Sequence, residues 1–276
     1  MANQRKQTKD KNLSKHPRLF RKFVKLLLFM GVLGVVALLS ATVLFPVRDC
    51  RAEGRTSYTE EQFADALGLG EEKLNLFTAN KAALTERIHA ALPYARVVKI
   101  ARRLPGTLVL TVEARAPALA QEQDGLWWLL TGEALLLGTE EDMPEGLLPL
   151  AGAPLEAPAA GQYASWANAF TAPRDVEALL ICLRESALWP GVTALRIATA
   201  AFPDAVYQDR ILMRFGAIGP SVEGVSQEAA LREKLRVAEA SIAKADAQNP
   251  LQRGILDLSI HGQAHLTPRW DEGFLR

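Results

Sequence analysis

Residues Leu92–Pro117 read LPYARVVKIARRLPGTLVLTVEARAP, and this stretch decides the fold class. Val97 to Arg103 is predicted to be a strand. Leu104-Pro105-Gly106-Thr107 then places proline and glycine at the centre of a tight turn. Beyond the turn, Leu108, Leu110, Val112 and Ala114 alternate with Val109, Thr111, Glu113 and Arg115, the period of a strand with one buried face. Two strands joined by a short turn make an antiparallel hairpin, which needs further elements to cover its apolar side.

Those elements lie upstream. Ala83, Leu84, Ile88 and Leu92 fall on one stripe of a helix from about Ala79 to Ala91, and Pro93 stops it. An earlier helix begins at Thr59, an N-cap residue followed by Glu60 and Glu61 in the positive first turn. Phe63, Ala66 and Leu67 form its apolar side, and Gly68 and Gly70 end it. This Gly-Leu-Gly is no phosphate loop, because it lacks a third glycine and a preceding strand, and Glu71 and Glu72 would repel an anion. Val47–Arg51 reads as a first strand, closed by a turn at Glu53-Gly54. Residues 46–117 are thus expected to form a β-α-α-β-β module, three strands with two helices on one face.

Further upstream, Leu26–Phe45 reads LLLFMGVLGVVALLSATVLF, twenty residues without a charge. A helix of that length rises roughly 30 Å, about the hydrocarbon thickness of a bilayer. Thirteen of the twenty are Leu, Phe or Val, and on an insertion scale they favour the membrane by at most roughly 4–8 kcal/mol. Residues 1–25 hold nine of the chain's 32 basic residues and one of its 31 acids, Asp10. The formal net charge of +1 therefore splits into +8 before the apolar run and −7 after it. The positive-inside rule keeps this basic arm in the cytoplasm and sends the 231 residues after position 45 across. A cleaved signal peptide fits less well, since the run is long for one and Ser40 and Thr42 make a poor cleavage site. The expectation is an uncleaved single-pass anchor.

Downstream, residues 118–262 read as a second, strand-rich module with two helices. Gly125–Leu130, the turn Thr131-Gly132-Glu133 and Ala134–Leu137 suggest a hairpin. Pro144, Pro149, Pro154 and Pro158 punctuate the next stretch as loops. Pro173 opens a helix bearing Val176, Leu179, Leu180 and Leu183, which closes at Trp189-Pro190-Gly191. Val192–Thr199 and Ala205–Phe215 are expected strands. Ser226 caps a helix with Leu231, Leu235, Ala238 and Ile242 on one face, and Gly254–Ile260 is a last strand. Residues 263–276 read as a loose C-terminal tail, with Pro268 in a polar end. The fold class is α+β.

The three pieces Leu92–Val97, Arg102–Leu108 and Val112–Pro117 resemble the second half of a POTRA domain, specifically that of the FtsQ/DivIB cell-division proteins. The order of basic arm, anchor and module strengthens the resemblance. Arg214-Phe215-Gly216, Lys234-Leu235 and Gly254–Leu258 are similar to the β domain of the same family, although Ser259 stands where a basic residue is common. The resemblance implies a scaffold of the bacterial divisome in the cell membrane, enriched at the septum. It would link septal ring components and recruit or regulate septal peptidoglycan synthesis. The implied partners are FtsB/DivIC-like and FtsL-like bitopic proteins, and nucleic acid is not among them. In this family the last strands of the β domain bind partners. That role falls on Leu258 to Ala264, with Leu258, Ile260, Gly262 and Ala264 as the expected contacts. A terminal edge strand offers unpaired backbone groups to which a partner strand can add. Arg102 and Arg103 read either as a charged edge that meets a partner or as the solvated end of a hairpin.

Motifs for catalysis are weak. His261 and His265 have the spacing of a helical metal pair but follow a strand and Gly262, and the glutamate of a zinc-protease motif is missing. Gly219–Gly224 lacks the second glycine of a nucleophile elbow, since Glu223 fills its place. Glu140, Glu141 and Asp142 read as a solvated acidic run. Trp127 and Trp128 point to opposite sheet faces, leaving one as a candidate exposed contact. Cys50 and Cys182 fall in different modules and are expected to stay unbridged. No catalytic residue, cofactor or metal is expected. The rival classes are a peptidoglycan-modifying enzyme with an unrecognised site and a POTRA-containing accessory of protein transport.

Overall fold

The computed structural model describes residues 17–70, 74–197, 202–218 and 226–269. Helix α1 (Pro17–Leu44) runs for 28 residues, and its described side chains, 22–35, are all exposed. Among the described residues no helix is long and apolar enough to cross a membrane. The side chains of 36–44, the second part of the expected span, lie outside the described residues.

Strand β1 (Asp49–Gly54), helices α2 (Glu60–Ala66) and α3 (Lys81–Ala91), and strands β2 (Ala95–Arg103) and β3 (Thr107–Ala114) follow in the expected β-α-α-β-β order. The sheet order is β1-β3-β2, with β1 parallel and β2 antiparallel to the central β3. Thr59 and Gln62 close a reciprocal capping box on α2, with bonds of 2.9 and 3.3 Å. Phe63, Leu67, Leu84 and Ile88 from the helices pack in one core with Leu108, Leu110 and Val112 of β3. Gly54 does not end β1 in a turn, as its sequence context suggests; it remains paired, opposite Val112. Its φ is +124°, and a Cβ there would lie 2.0 Å from the Val112 carbonyl oxygen, so only glycine fits.

The second module is a single nine-stranded sheet. Its strands are β4 (Leu119–Gln123), β5 (Leu126–Leu130), β6 (Leu136–Glu140), β7 (Leu148–Gly152), β8 (Val192–Ile197), β9 (Asp204–Tyr207), β10 (Ile211–Arg214), β11 (Gly254–Asp257) and β12 (His265–Pro268). Their spatial order is β12-β11-β10-β9-β8-β7-β4-β5-β6. Helices α4 (Pro173–Glu185) and α5 (Gln227–Gln248) cover one face. Pro173 stands in the first turn of α4 and Ser226 caps α5, both as expected. Leu179, Leu183, Leu235 and Ile242 bury against Leu195, Met213 and Leu256 of the sheet.

Four expectations change. Ala205–Phe215 is a hairpin, β9 and β10, because Gln208 and Asp209 take φ values of +51° and +50° that turn the chain. The proline-punctuated stretch hides β7, which pairs in parallel with both β4 and β8. Strand β4 pairs with β5, where only the β5–β6 hairpin was expected. The sheet also continues past residue 262, since β12 lies in the expected tail and pairs antiparallel with β11. Trp127 and Trp128 are both partly buried, packing against separate apolar clusters on the two faces, so neither is a free platform. Cys50 and Cys182 are free and buried in different cores, and burial pushes the Cys50 thiol up to about 12.

Two side chains, the buried Gln121 and the half-buried Gln123, fasten the proline-rich stretch to the sheet. Gln121 of β4 donates from Nε2 to the Ala153 carbonyl and accepts from the Trp166 indole N–H, both at 2.9 Å. Gln123 donates to the Leu155 carbonyl and accepts from the Leu155 N–H at 2.7 Å.

The two modules meet around α3. Tyr94 packs on the cluster of Ala120, Leu129, Leu135 and Leu137. Arg115, at the exit of β3, donates to the carbonyls of Pro93 and Ala95 at 3.2 and 3.0 Å. Gly161 lies so close to α3 that a Cβ would meet the His89 carbonyl oxygen at 2.4 Å. Burial, aided by Arg115, holds the His89 imidazole down at about 4, and its Nε2 accepts from the Val97 N–H at 3.5 Å.

Two outcomes follow. Gln121→Leu strands a buried indole N–H and a carbonyl, and denaturant unfolding should read a loss of about 2 kcal/mol; an unchanged midpoint counts against the fastening role. For His89, the unfolded chain takes the proton near its ordinary 6.5 and the folded chain near 4, so its contribution is full above pH 6.5 and is lost as pH falls towards 4. After solvent screening that loss is roughly 1–2 kcal/mol. It should appear in the difference between parent and His89→Gln unfolding free energies measured across this range, because the glutamine variant has no such titration.

Candidate functional site

The residues expected to meet partners fall in two places. Leu258–Ala264 forms the connection from β11 to β12, whereas Arg102 and Arg103 end β2 in the first module's sheet. The structure does not bring these groups together on one sheet.

Leu258–Ala264 is a turn, not the strand expected from sequence. Leu258 leaves β11 with its N–H on the Arg214 carbonyl at 2.8 Å, and its side chain is fully buried in the core. The Ser259 N–H donates to the Asp257 carboxylate at 2.8 Å, which bends the chain away from the ladder, and the Ser259 side chain, helped by this N–H, holds that carboxyl below its usual range. Gln263 N–H returns to the Ile260 carbonyl, and Gly262, at φ +69°, closes the turn with open space around its α-carbon. Ile260 is left 55% exposed, a large apolar side chain at the tip of a tethered loop.

Beneath this turn lies Lys234 of α5, only 6% exposed. Its ammonium donates to the carbonyls of Leu258 and, at 3.1 Å, Ser259. Both carbonyls have left the β ladder, so the buried cation supplies the partners that a strand would have supplied. Burial lowers the Lys234 pKa, and Asp257 opposes the shift. Gly216 completes the seat, since a Cβ there would stand 2.7 Å from that of Ser259. The sequence marked Lys234 as part of the β-domain resemblance, on a helix, without a role for its ammonium, because its acceptors lie 24 and 25 residues away.

Strand β12 is one edge of the sheet, with no strand beyond it among the described residues. The Arg269 N–H bonds inward to the Arg253 carbonyl at 3.1 Å, and alternation along the strand then turns the backbone of Pro268, Leu266 and Ala264 outward. Pro268 has no N–H, so outward donors remain at Leu266 and Ala264. Beside this edge, Ser241, Lys244, Gln248, Ala264 and Leu266 line a groove of about 410 Å³ between α5 and β12.

Arg102 bends back to donate to the Ala79 carbonyl at 3.1 Å, and Arg103 is exposed. His261 lies in the turn and His265 starts β12, so they share no helix face. Among the described residues no three His, Cys, Asp or Glu side chains converge as metal ligands. His16 and residues 219–224 lie outside the described residues.

Residues 45–115 match the family model of the POTRA domain, FtsQ-type, which spans β1 to β3. The first module is thus similar to the POTRA domain of FtsQ/DivIB-like proteins. Proteins carrying this domain type are typically non-enzymatic scaffolds with a division-related role. No curated protein matches the chain.

The Lys234 seat has a measurable consequence. Lys234→Met keeps most of the stem volume and removes the donor, leaving the carbonyls of Leu258 and Ser259 without it. Hydrogen exchange should rise in 258–264 and β12 while α4 stays protected, with a global loss of about 1–3 kcal/mol. Unchanged exchange in that segment would show that the ammonium does not hold the turn.

Proposed function

We propose that this chain is a membrane-anchored scaffold of the bacterial divisome, linking septal ring components and recruiting or regulating septal peptidoglycan synthesis through protein contacts. The observation that carries the reading is the FtsQ-type POTRA domain followed by a sheet whose edge strand β12 has no further strand beside it among the described residues. In this reading residues 26–45 span the cell membrane once, the basic arm stays in the cytoplasm, and the modules stand outside it, enriched at the septum. The chain does no catalysis of its own.

Capture of the partner works by strand addition. An extended segment of an FtsB/DivIC-like protein, with an FtsL-like protein beside it, pairs with the outward backbone of Ala264 and Leu266. Ile260 then covers the segment's apolar side chain, the groove next to α5 takes another, and Gly262 allows the turn its left-handed backbone. Leu258 acts from below, as the buried root of the turn. Short ladders of this kind draw affinity from backbone bonds and specificity from the flanking pockets.

The test is an Ile260→Glu chain purified at parent yield and melting temperature. Its capture of an FtsB/DivIC-like partner should weaken about tenfold, the scale of one interface hot spot, and a fluorescent fusion of the parent chain should collect at the septum. Undiminished capture would remove the turn from the partner surface, and uniform membrane fluorescence would remove the divisome assignment.

A further inference from the structure

The end of the POTRA domain where β1 begins is built from three segments. Asp49 of β1 pairs with Thr107 of β3, and β2 ends at Arg103, so the β2–β3 hairpin and the chain leaving α1 lie at the same end. The Arg48 N–H donates to the Gly106 carbonyl at 2.8 Å, and a Cβ on Gly106 would stand 2.5 Å from the Pro46 carbonyl oxygen. On the other side, Leu76 N–H bonds the Phe45 carbonyl at 2.9 Å and Val47 N–H the Leu74 carbonyl at 2.8 Å. Residues 45–48, 74–77 and 104–106 are therefore one hydrogen-bonded surface.

Its exposed side chains are of two kinds. Leu104 is 62% exposed and Phe77 is 49% exposed, the latter edge-on to Phe45 at 5.2 Å. Around them stand Arg48, Arg102, Arg103 and Lys81, all exposed, against Asp49 among the described residues of these segments. Arg102 is tethered by its bond to the Ala79 carbonyl, which keeps it beside the start of α3. Apolar tips inside a ring of cations suit the boundary of a bilayer, where the tips enter between headgroups and the cations meet phosphates.

We propose that this end of the POTRA domain docks on the headgroup layer of the membrane that holds α1, with Leu104 and Phe77 inserted and Arg48, Arg102, Arg103 and Lys81 on anionic lipid phosphates. The proposal rests on the anchoring of residues 26–45 proposed above. Chain continuity selects lipid over a protein partner. Helix α1 ends at Leu44, and four residues of chain reach at most about 14 Å, so Arg48 and the patch bonded to it cannot leave the neighbourhood of the helix end. Two attachments, one covalent and one through lipid, fix the tilt of the first module, and that tilt carries the second module with it.

The experiment uses the full chain in vesicles of phosphatidylcholine with or without phosphatidylglycerol. An environment-sensitive fluorophore is placed by Leu104→Cys, Phe77→Cys, Leu33→Cys or Phe170→Cys, one at a time; the native thiols, Cys50 and Cys182, are buried. Phe170, 86% exposed in the second module, is the solvent reference. With phosphatidylglycerol present, the probes at 104 and 77 should emit at shorter wavelength than at 170. They should also be quenched by shallow lipid-borne spin labels and protected from aqueous iodide. Arg48→Glu with Arg102→Glu and Arg103→Glu should return the probe at 104 to the behaviour of 170. A deep, lipid-quenched probe at 33 beside a water-exposed probe at 104 overturns the docking and leaves the anchor standing. A water-exposed probe at 33 overturns both. Shielding of 104 that appears only when a protein partner is added assigns the patch to that partner and overturns the lipid role.

Discussion

Strand β7 is the constraint on which the second module depends. The sheet has two parts made by separate stretches of chain, the meander β4-β5-β6 and the run from β8 to β12, and β7 is the single strand that joins them. It pairs with β4 through Leu148 and Pro149 and with β8 through Leu150 to Gly152. At Gly152 a Cβ would sit 2.3 Å from the Ile197 carbonyl oxygen, so the close approach of β8 requires glycine there. The side chains of Gln121 and Gln123 then hold the loop that follows, and α4 begins from a fixed place. Without this strand the helices would have two small sheets to cover instead of one.

How much was legible follows from whether a signal is local. The first module could be read almost whole, because its signals sit within a few residues of each other: Thr59 before two glutamates, Pro-Gly between two alternating runs, Pro93 after an apolar stripe. Helices α4 and α5 were legible for the same reason, through Pro173, Ser226 and their apolar spacing. Strand β7 was hidden because Leu-Pro-Leu-Ala-Gly has neither the alternation nor the β-branched content of a strand; partners on both sides make it one. Strand β12 was hidden behind its own proline, which is tolerated there because an edge needs no donor on its outer side. The turn at Leu258–Ala264 was taken for strand because nothing in LSIHGQA reveals that a lysine buried in α5 has claimed two of its carbonyls.

Buried charge in the second module shows a consistent economy. Lys234 and Arg210 are each nearly enclosed, and each ties an irregular stretch of backbone to α5. Lys234 holds the turn after β11, and Arg210 reaches the Gln252 carbonyl and grips Asp246 at 2.9 and 3.0 Å. Asp204 differs. Its carboxylate is 1% exposed with no hydrogen-bond partner among the described residues, Arg196 lies 4.0 Å away, and burial lifts its pKa to about 6. A buried charge with close hydrogen-bond acceptors organises structure, whereas one held only by a distant ion pair costs more than it returns.

The strand order also sets a distance. The POTRA domain meets the sheet near β5 and β6, and the open edge, β12, is the ninth strand from that end. Eight steps of about 4.8 Å put roughly 38 Å between them. A helical stalk rising 1.5 Å per residue needs about 25 residues to cover such a length. The sheet is in effect a boom, and its width sets how far a segment docked at β12 would stand from the POTRA domain.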